Sequence, residues 1–244
     1  MRSINQTTKS KINNPQYCYL GGALLLLALL YPILEFGHTG LVIWTSVFWV
    51  MLIIAVRSTR IKQIVNKTTY FLGTVLILLS ISGLICYNLL DDSHTWIFTS
   101  INALTFIFIA FITVSLLYGI LSSSSIGVDN LIGAASAYVL IGVTFAYGYI
   151  VLHSITGESL VLNENPAFNK SNNNLAFMVA EYSYFSFSTL TTLGFGDITP
   201  ITLPARVLSC AEAILGQLFL TILVARLVGL HVLLASAKSD GKST

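Results

Sequence analysis

The sequence predicts an all-α membrane protein: six transmembrane helices, plus a re-entrant helix whose chain turns back before crossing. Three observations predict this. Of the 244 residues, 55% are hydrophobic and only 9% charged, against roughly a quarter charged in soluble domains, so most of the surface must face lipid. Six apolar stretches approach the ~20 residues that a helix needs to cross a bilayer. Between the fifth and sixth lies a shorter apolar stretch, Leu175 to Leu190, that cannot cross with both ends exposed.

The first span runs from about Tyr17 to Phe36 and the second from about Gly40 to Val56. The third covers Tyr70 to Leu90, the fourth Thr95 to Leu121, the fifth Leu131 to His153 and the sixth Pro204 to Leu230. Arg2, Lys9 and Lys11 precede the first span as in a leader peptide. No small-x-small cleavage site follows it, so it reads as a retained anchor.

Basic residues set the orientation. Arg2, Lys9 and Lys11 lie before span one, Arg57, Arg60, Lys62 and Lys67 between spans two and three, and Lys238 and Lys242 after span six. Placing these inside satisfies the positive-inside rule and puts both termini in the cytoplasm, with the chain in a plasma membrane. The opposite loops then carry Glu35, Asp91, Asp92, Glu158 and Glu164.

Composition also narrows the partners. A net charge of +2 without a Lys/Arg run gives no footprint for nucleic acid. Cys18, Cys86 and Cys210 stand singly in apolar stretches, which suits small hydrophobes rather than a disulfide framework. His38, His94, His153 and His231 show no metal-ligand spacing with acids or cysteines, and no organic cofactor is expected.

The segment between spans five and six has two characters. Gly157 to Asn174 is polar and Asn-rich and reads as an exposed outer loop, with an Asn169 sequon. Leu175 to Leu190, LAFMVAEYSYFSFSTL, is apolar, aromatic and rich in hydroxyls. Non-helical backbone at membrane depth is tolerated only inside protein or beside an aqueous path, so a half-crossing helix with a returning loop implies a pore or a cavity.

The run that follows, Thr189-Leu190-Thr191-Thr192-Leu193-Gly194-Phe195-Gly196-Asp197, closely resembles the filter motif of the potassium channel family, whose commonest form is Thr-Thr-Val-Gly-Tyr-Gly-Asp. The residue types have a physical reason. A ring of backbone carbonyls can replace the water around a cation. Aiming successive carbonyls to one side requires some positive φ, which glycine adopts freely, hence Gly194 and Gly196. The resemblance implies that carbonyls of Thr192, Leu193, Gly194 and Phe195 face K+ ions and that the Thr192 hydroxyl closes the innermost site. Thr191, Gly196 and Asp197 would support them, with Asp197 at the outer mouth, and Pro200 suits the chain leaving the filter. One loop per chain implies a homotetramer around one pore in the lipid bilayer. Tyr184-Phe185 stands where many relatives carry two filter-supporting tryptophans. Leu193 replaces the usual valine and Phe195 the usual tyrosine.

On this reading residues 1–16 are a cytoplasmic N-terminus and 17–121 a four-helix, sensor-like domain. Residues 131–232 form the pore domain and 233–244 a cytoplasmic tail. The fourth span occupies the position of a voltage sensor, yet Thr95 to Leu121 contains no Lys or Arg. Moving one charge through 100 mV is worth roughly 2.3 kcal/mol, so a span without charge cannot drive steep voltage gating. Four gating candidates lie on span six. Gly216 is either a hinge or a site of close packing, and Gln217 and Thr221 line the pore one turn apart. Glu212, in the outer half of the membrane, is expected to pair behind the pore helix with Ser186 or Ser188. Arg226 is expected to snorkel at the inner interface.

Two other readings use the same residues. Gly194-Phe195-Gly196-Asp197 also fits an intramembrane aspartyl protease, but that chemistry needs two aspartates in one site, and Asp91, Asp92, Asp129 and Asp240 all fall in predicted loops or the tail. A non-selective cation channel on the same scaffold is the nearer alternative. Transporters with filter-like loops carry four copies in one chain, and this chain has one.

Overall fold

The computed structural model describes residues 16–30, 33, 38–58, 73–75, 95–122, 128–157, 160–162 and 175–240. Six helices and a two-stranded sheet follow in chain order: α1 (Gln16–Leu29), α2 (His38–Ser58), α3 (Thr95–Leu121), α4 (Val128–Thr156), β1 (Leu160–Leu162), α5 (Leu175–Leu190), β2 (Ile198–Pro200) and α6 (Leu203–Asp240). Thus α3, α4 and α6 are the fourth, fifth and sixth predicted spans. The third predicted span lies outside the described residues apart from helical 73–75. So do the basic N-terminus, Arg60, Lys62 and Lys67, and the Asn169 sequon.

Among the described residues three stretches are long and apolar enough to cross a membrane: Thr99–Leu121, Leu131–Thr156 and Leu203–Arg226. A shorter apolar stretch, Val42–Val56, lies in α2. The outline is that of an all-helical membrane protein.

The burial pattern of α3 shows why lipid is its solvent. Thr105, Phe108, Ile109, Ile112, Thr113, Leu116 and Ile120 are buried at three- and four-residue spacing and form the inward stripe. The outward stripe, Leu104, Ile107, Phe111, Val114, Tyr118 and Leu121, is exposed and equally apolar. A helix apolar on every face belongs in a membrane or a deep core. α3 packs on α4, where Gly148 brings the backbone against Phe106 and Thr113 and Thr144 hydroxyls pair at 3.1 Å. Small residues at such crossings permit the backbone proximity that drives helix association in lipid.

Three boundaries differ from expectation. The first span was expected to reach Phe36, but its helix has 14 residues and ends at Leu29, about 21 Å at 1.5 Å per residue. Pro32 is the cause: it has no N–H to donate and disfavours helical geometry in the residue before it. The sixth span was expected to end at Leu230 with a separate tail, but α6 runs on to Asp240. No Pro and no Gly stands between Val232 and Asp240, so nothing stops the helix. Gly157 to Asn174 was expected to be an exposed loop, yet Leu160 is buried and Leu160–Leu162 pairs antiparallel with Ile198–Pro200 in the register Leu160↔Pro200, Val161↔Thr199, Leu162↔Ile198. Residues 163–174 lie outside the described residues.

This sheet positions the site. Gly157 ends α4 at φ 78, its amide bonded to the His153 carbonyl, and β1 follows. Through β2 the outer end of α4 is therefore stitched to the chain directly after Asp197. Arg206 Nε donates to the Pro200 carbonyl at 3.1 Å and fixes the start of α6 to the same strand.

Candidate functional site

The turn at residues 191–197 begins as a helix cap. Thr192 N–H donates to the Thr189 carbonyl at 2.9 Å and Leu193 N–H to the Ser188 carbonyl at 2.8 Å. This pair of bonds is the Schellman arrangement, which needs a left-handed residue at the position of Thr192. Thr192 has φ 58, the sole positive φ at a non-glycine among the described residues. For a β-branched residue that conformation costs about 1–3 kcal/mol, so the surrounding bonds must hold it. Gly194 N–H then reaches Ser188 Oγ at 3.1 Å and the Ser188 carbonyl at 3.3 Å.

The alternation continues. Gly194 has φ 57 and Gly196 φ 81, while Leu193 and Phe195 between them are not positive. Alternating right- and left-handed residues turn successive N–H groups to one side and successive carbonyls to the other. The N–H groups of Thr192, Leu193 and Gly194 all point into the last turn of α5 and are satisfied there. Among the described residues no hydrogen bond reaches the carbonyls of Thr192, Leu193, Gly194 or Phe195. The result is a short ladder of free acceptors on a backbone held from behind.

Side chains brace both ends of the ladder. At the outer end, Tyr184 donates its hydroxyl to Asp197 Oδ2 at 2.7 Å and stacks on Phe195 with ring planes 3° apart. The other carboxylate oxygen of Asp197 accepts the Ile198 N–H at 3.0 Å. Phe185 takes no part in that clamp: it packs edge-on against Tyr149 of α4 at 5.0 Å. At the inner end, Gln217 Nε2 donates to Thr192 Oγ at 3.2 Å, and Thr192 donates its own proton to the Thr191 carbonyl at 2.7 Å. The Thr192 hydroxyl thus presents electron pairs, not a proton, to whatever approaches it. Thr221, one turn on, donates to the Gln217 carbonyl at 2.8 Å. Thr191 donates to the Phe187 carbonyl.

Behind the turn, α6 touches the end of α5 directly. A Cβ built on Gly216 collides with the carbonyl oxygen of Leu190 and comes within 3.0 Å of its side chain. Tyr138 of α4 holds that same carbonyl at 3.0 Å. Glu212 is fully buried and meets Ser186, not Ser188; Ser188 serves Gly194 instead. Arg226 does not simply snorkel: its Nη1 donates to the Ile120 carbonyl, in the last turn of α3, at 2.6 Å, where a cation suits the helix dipole.

Sequence reasoning missed Tyr138, Tyr149 and β1, and it named Ser188 only as a partner for Glu212, not as the cap of Gly194. The signals were faint. The two tyrosines are polar-tipped residues eleven apart, hence near one helix face, in a mostly apolar span that also carries Phe145 and Tyr147. Leu160-Val161-Leu162 is an apolar triplet inside a polar loop.

Comparison with curated proteins and with solved structures gives no match. A scan against family models gives one: residues 139–231 match the family described as "Ion channel". The matched stretch takes in most of α4, all of α5, the turn at 191–197, β2 and α6 to His231. The description is that of a channel rather than an enzyme: over residues 139–231 the chain is similar to an ion-channel domain, and three long apolar helices stand among the described residues.

Proposed function

We propose that the chain is the pore-forming subunit of a potassium-selective channel. Four copies surround one axis in a plasma membrane, with both termini in the cytoplasm. One observation carries this: φ alternates in sign from Thr192 to Gly196 while the amides are tied into α5, leaving four carbonyls free to face one side. Dehydrated K+ is the transported ion. It is held by the carbonyls of Thr192, Leu193, Gly194 and Phe195 and, innermost, by Thr192 Oγ, whose lone pairs Gln217 and Thr191 orient. Thr191, Gly196 and Asp197 hold that backbone, and neither an organic cofactor nor nucleic acid enters the account. The fourfold ring is supported by what one chain leaves bare. Leu193 and Phe195 are 58% and 64% exposed, and the membrane-length stretch of α6 is almost uncovered on its apolar faces.

Conduction on this reading is passive, and α3 is no charged voltage sensor. The protease reading loses support. Both Asp197 oxygens are occupied, and Asp129 stands at the far end of α4, about 40 Å from Gly157 at 1.5 Å per residue. Asp91 and Asp92 lie outside the described residues.

The test is the reversal potential of purified protein in a planar bilayer with potassium on one side and sodium on the other. A reversal near the potassium equilibrium potential, with open probability flat over voltage, is the expected result. A reversal near zero would favour the non-selective channel. Within that assay, Tyr184→Phe removes the hydroxyl that holds Asp197 and keeps the ring on Phe195. We expect severalfold shorter conducting episodes with the reversal potential unchanged, read from single-channel dwell times.

A further inference from the structure

We propose that Glu212 is carried as a neutral carboxylic acid, and that its proton completes a chain of hydroxyls that positions α5, and so the turn at 191–197, against α4 and α6. Glu212 is completely buried, where an unpaired charge is untenable. Among the described residues every group bonded to it is a hydroxyl: Ser186 Oγ lies 2.5 Å from Oε1 and the Tyr149 hydroxyl 2.7 Å from Oε2. Both guanidinium groups of α6 are engaged elsewhere, Arg206 with Pro200 and Arg226 with Ile120.

Counting protons leads to the neutral form. Four short contacts need one proton each: Ser186 to the Gly142 carbonyl at 2.7 Å, Ser186 to Glu212 at 2.5 Å, Tyr149 to Glu212 at 2.7 Å, and Ser209 to the Ala205 carbonyl at 2.8 Å. The three hydroxyls bring three. A carbonyl has no proton to give, so Ser209 must donate to Ala205 and Ser186 to Gly142. Tyr149 supplies its own contact with Oε2. The shortest contact, Oε1 to Ser186 Oγ, is left without a proton unless the carboxyl brings it. With Glu212 protonated, the acid donates to Ser186, Ser186 donates to Gly142, and Tyr149 donates to the acid. The longest contact, Tyr149 to Ser209 at 3.2 Å, holds no proton in either form and is a close approach of two oxygens whose protons point elsewhere.

The consequence is mechanical. Gly142 is in α4, Ser186 in α5 and Glu212 in α6, so one shared proton ties all three helices at a depth two residues before Ser188. Ser188 is the residue that caps Gly194. Glu212 acts on the filter turn only through this chain, as a positioning residue.

The reading rests on the proposed channel only for its conduction assay; its primary test does not. Infrared difference spectra between wild-type protein and Glu212→Gln, both in lipid vesicles at neutral pH, are expected to contain the carbonyl stretch of a protonated carboxylic acid. A difference showing only carboxylate bands would overturn the proposal. The amide of Glu212→Gln offers the same donor to Ser186 and the same acceptor to Tyr149, so potassium flux close to wild type is expected. Glu212→Ala leaves both hydroxyls short of a partner and is expected to lower flux by about tenfold, the loss of roughly one buried hydrogen bond. Restoration by Glu212→Asp but not by Glu212→Gln would show that charge matters, and would also overturn the proposal. A wild-type protein that passes no current would count against the channel, and the infrared band would still decide the state of Glu212.

Discussion

The Gly194→Ala substitution is expected to abolish selective potassium current while leaving the helices folded. Gly194 sits at φ 57 with nothing within 4 Å of a built Cβ, so crowding within the chain is not the obstacle. The obstacle is the backbone. An L-residue with a Cβ pays about 1–2 kcal/mol in the left-handed region, and in the proposed ring of four copies this becomes roughly 4–8 kcal/mol. The cheapest relief is a flip of the peptide, which turns the carbonyl that faces the ion away from it. The reversal potential should move toward zero or the current should vanish, with circular dichroism and assembly unchanged. A Gly194→Ala channel that kept its reversal potential would remove the carbonyl ladder as the source of selectivity.

The second large effect is expected at Gly216→Ala. The added methyl has to enter the space of the Leu190 carbonyl oxygen. Leu190 is fully buried and its carbonyl is held by Tyr138 at 3.0 Å, so it cannot retreat without losing that bond. Overpacking of this kind costs typically about 1–3 kcal/mol per site, and it pushes on the residue two positions before Thr192. Thermal unfolding in detergent should shift down by several degrees and flux should fall with it. Gly229→Ala on the same helix has nothing within 4 Å of the new Cβ and is expected to be neutral or to gain up to about 1 kcal/mol of helix propensity. A hinge at Gly216 predicts a different pattern, in which stability holds and only open probability changes.

How much of this was legible in the sequence depends on the distance over which each feature is determined. The bounds of α3 and α5 were read residue for residue, because a shift from polar flanking sequence to predominantly apolar and aromatic composition sets them locally. The positive φ values at Gly194 and Gly196 were legible because only glycine accepts them freely. The one at Thr192 was not, since it follows from the Schellman bonds to Ser188 and Thr189 and not from the residue itself. Glu212 was legible as needing a partner, because a buried carboxyl always does, and Ser186 was one of two candidates. Tyr149 and Gly142 complete that cluster from another helix, and no local pattern points at them. The strand Leu160–Leu162 was lost for the same reason: its central residue Val161 pairs with Thr199, 38 residues away (199 − 161), and three residues are too few to show an alternation.

The bond from Arg226 to Ile120 gives the uncharged fourth span a mechanical part to play. Ile120 closes α3, and its carbonyl lies where a helix has no N–H of its own left to offer. Any rotation or tilt of α6 at Arg226 must carry the end of α3 along or abandon that carbonyl. Abandoning it in poorly hydrated surroundings costs about 1–3 kcal/mol in each subunit. The bond therefore couples the two helices: a displacement of the end of α3 is felt by α6 at Arg226 without any charge moving along α3.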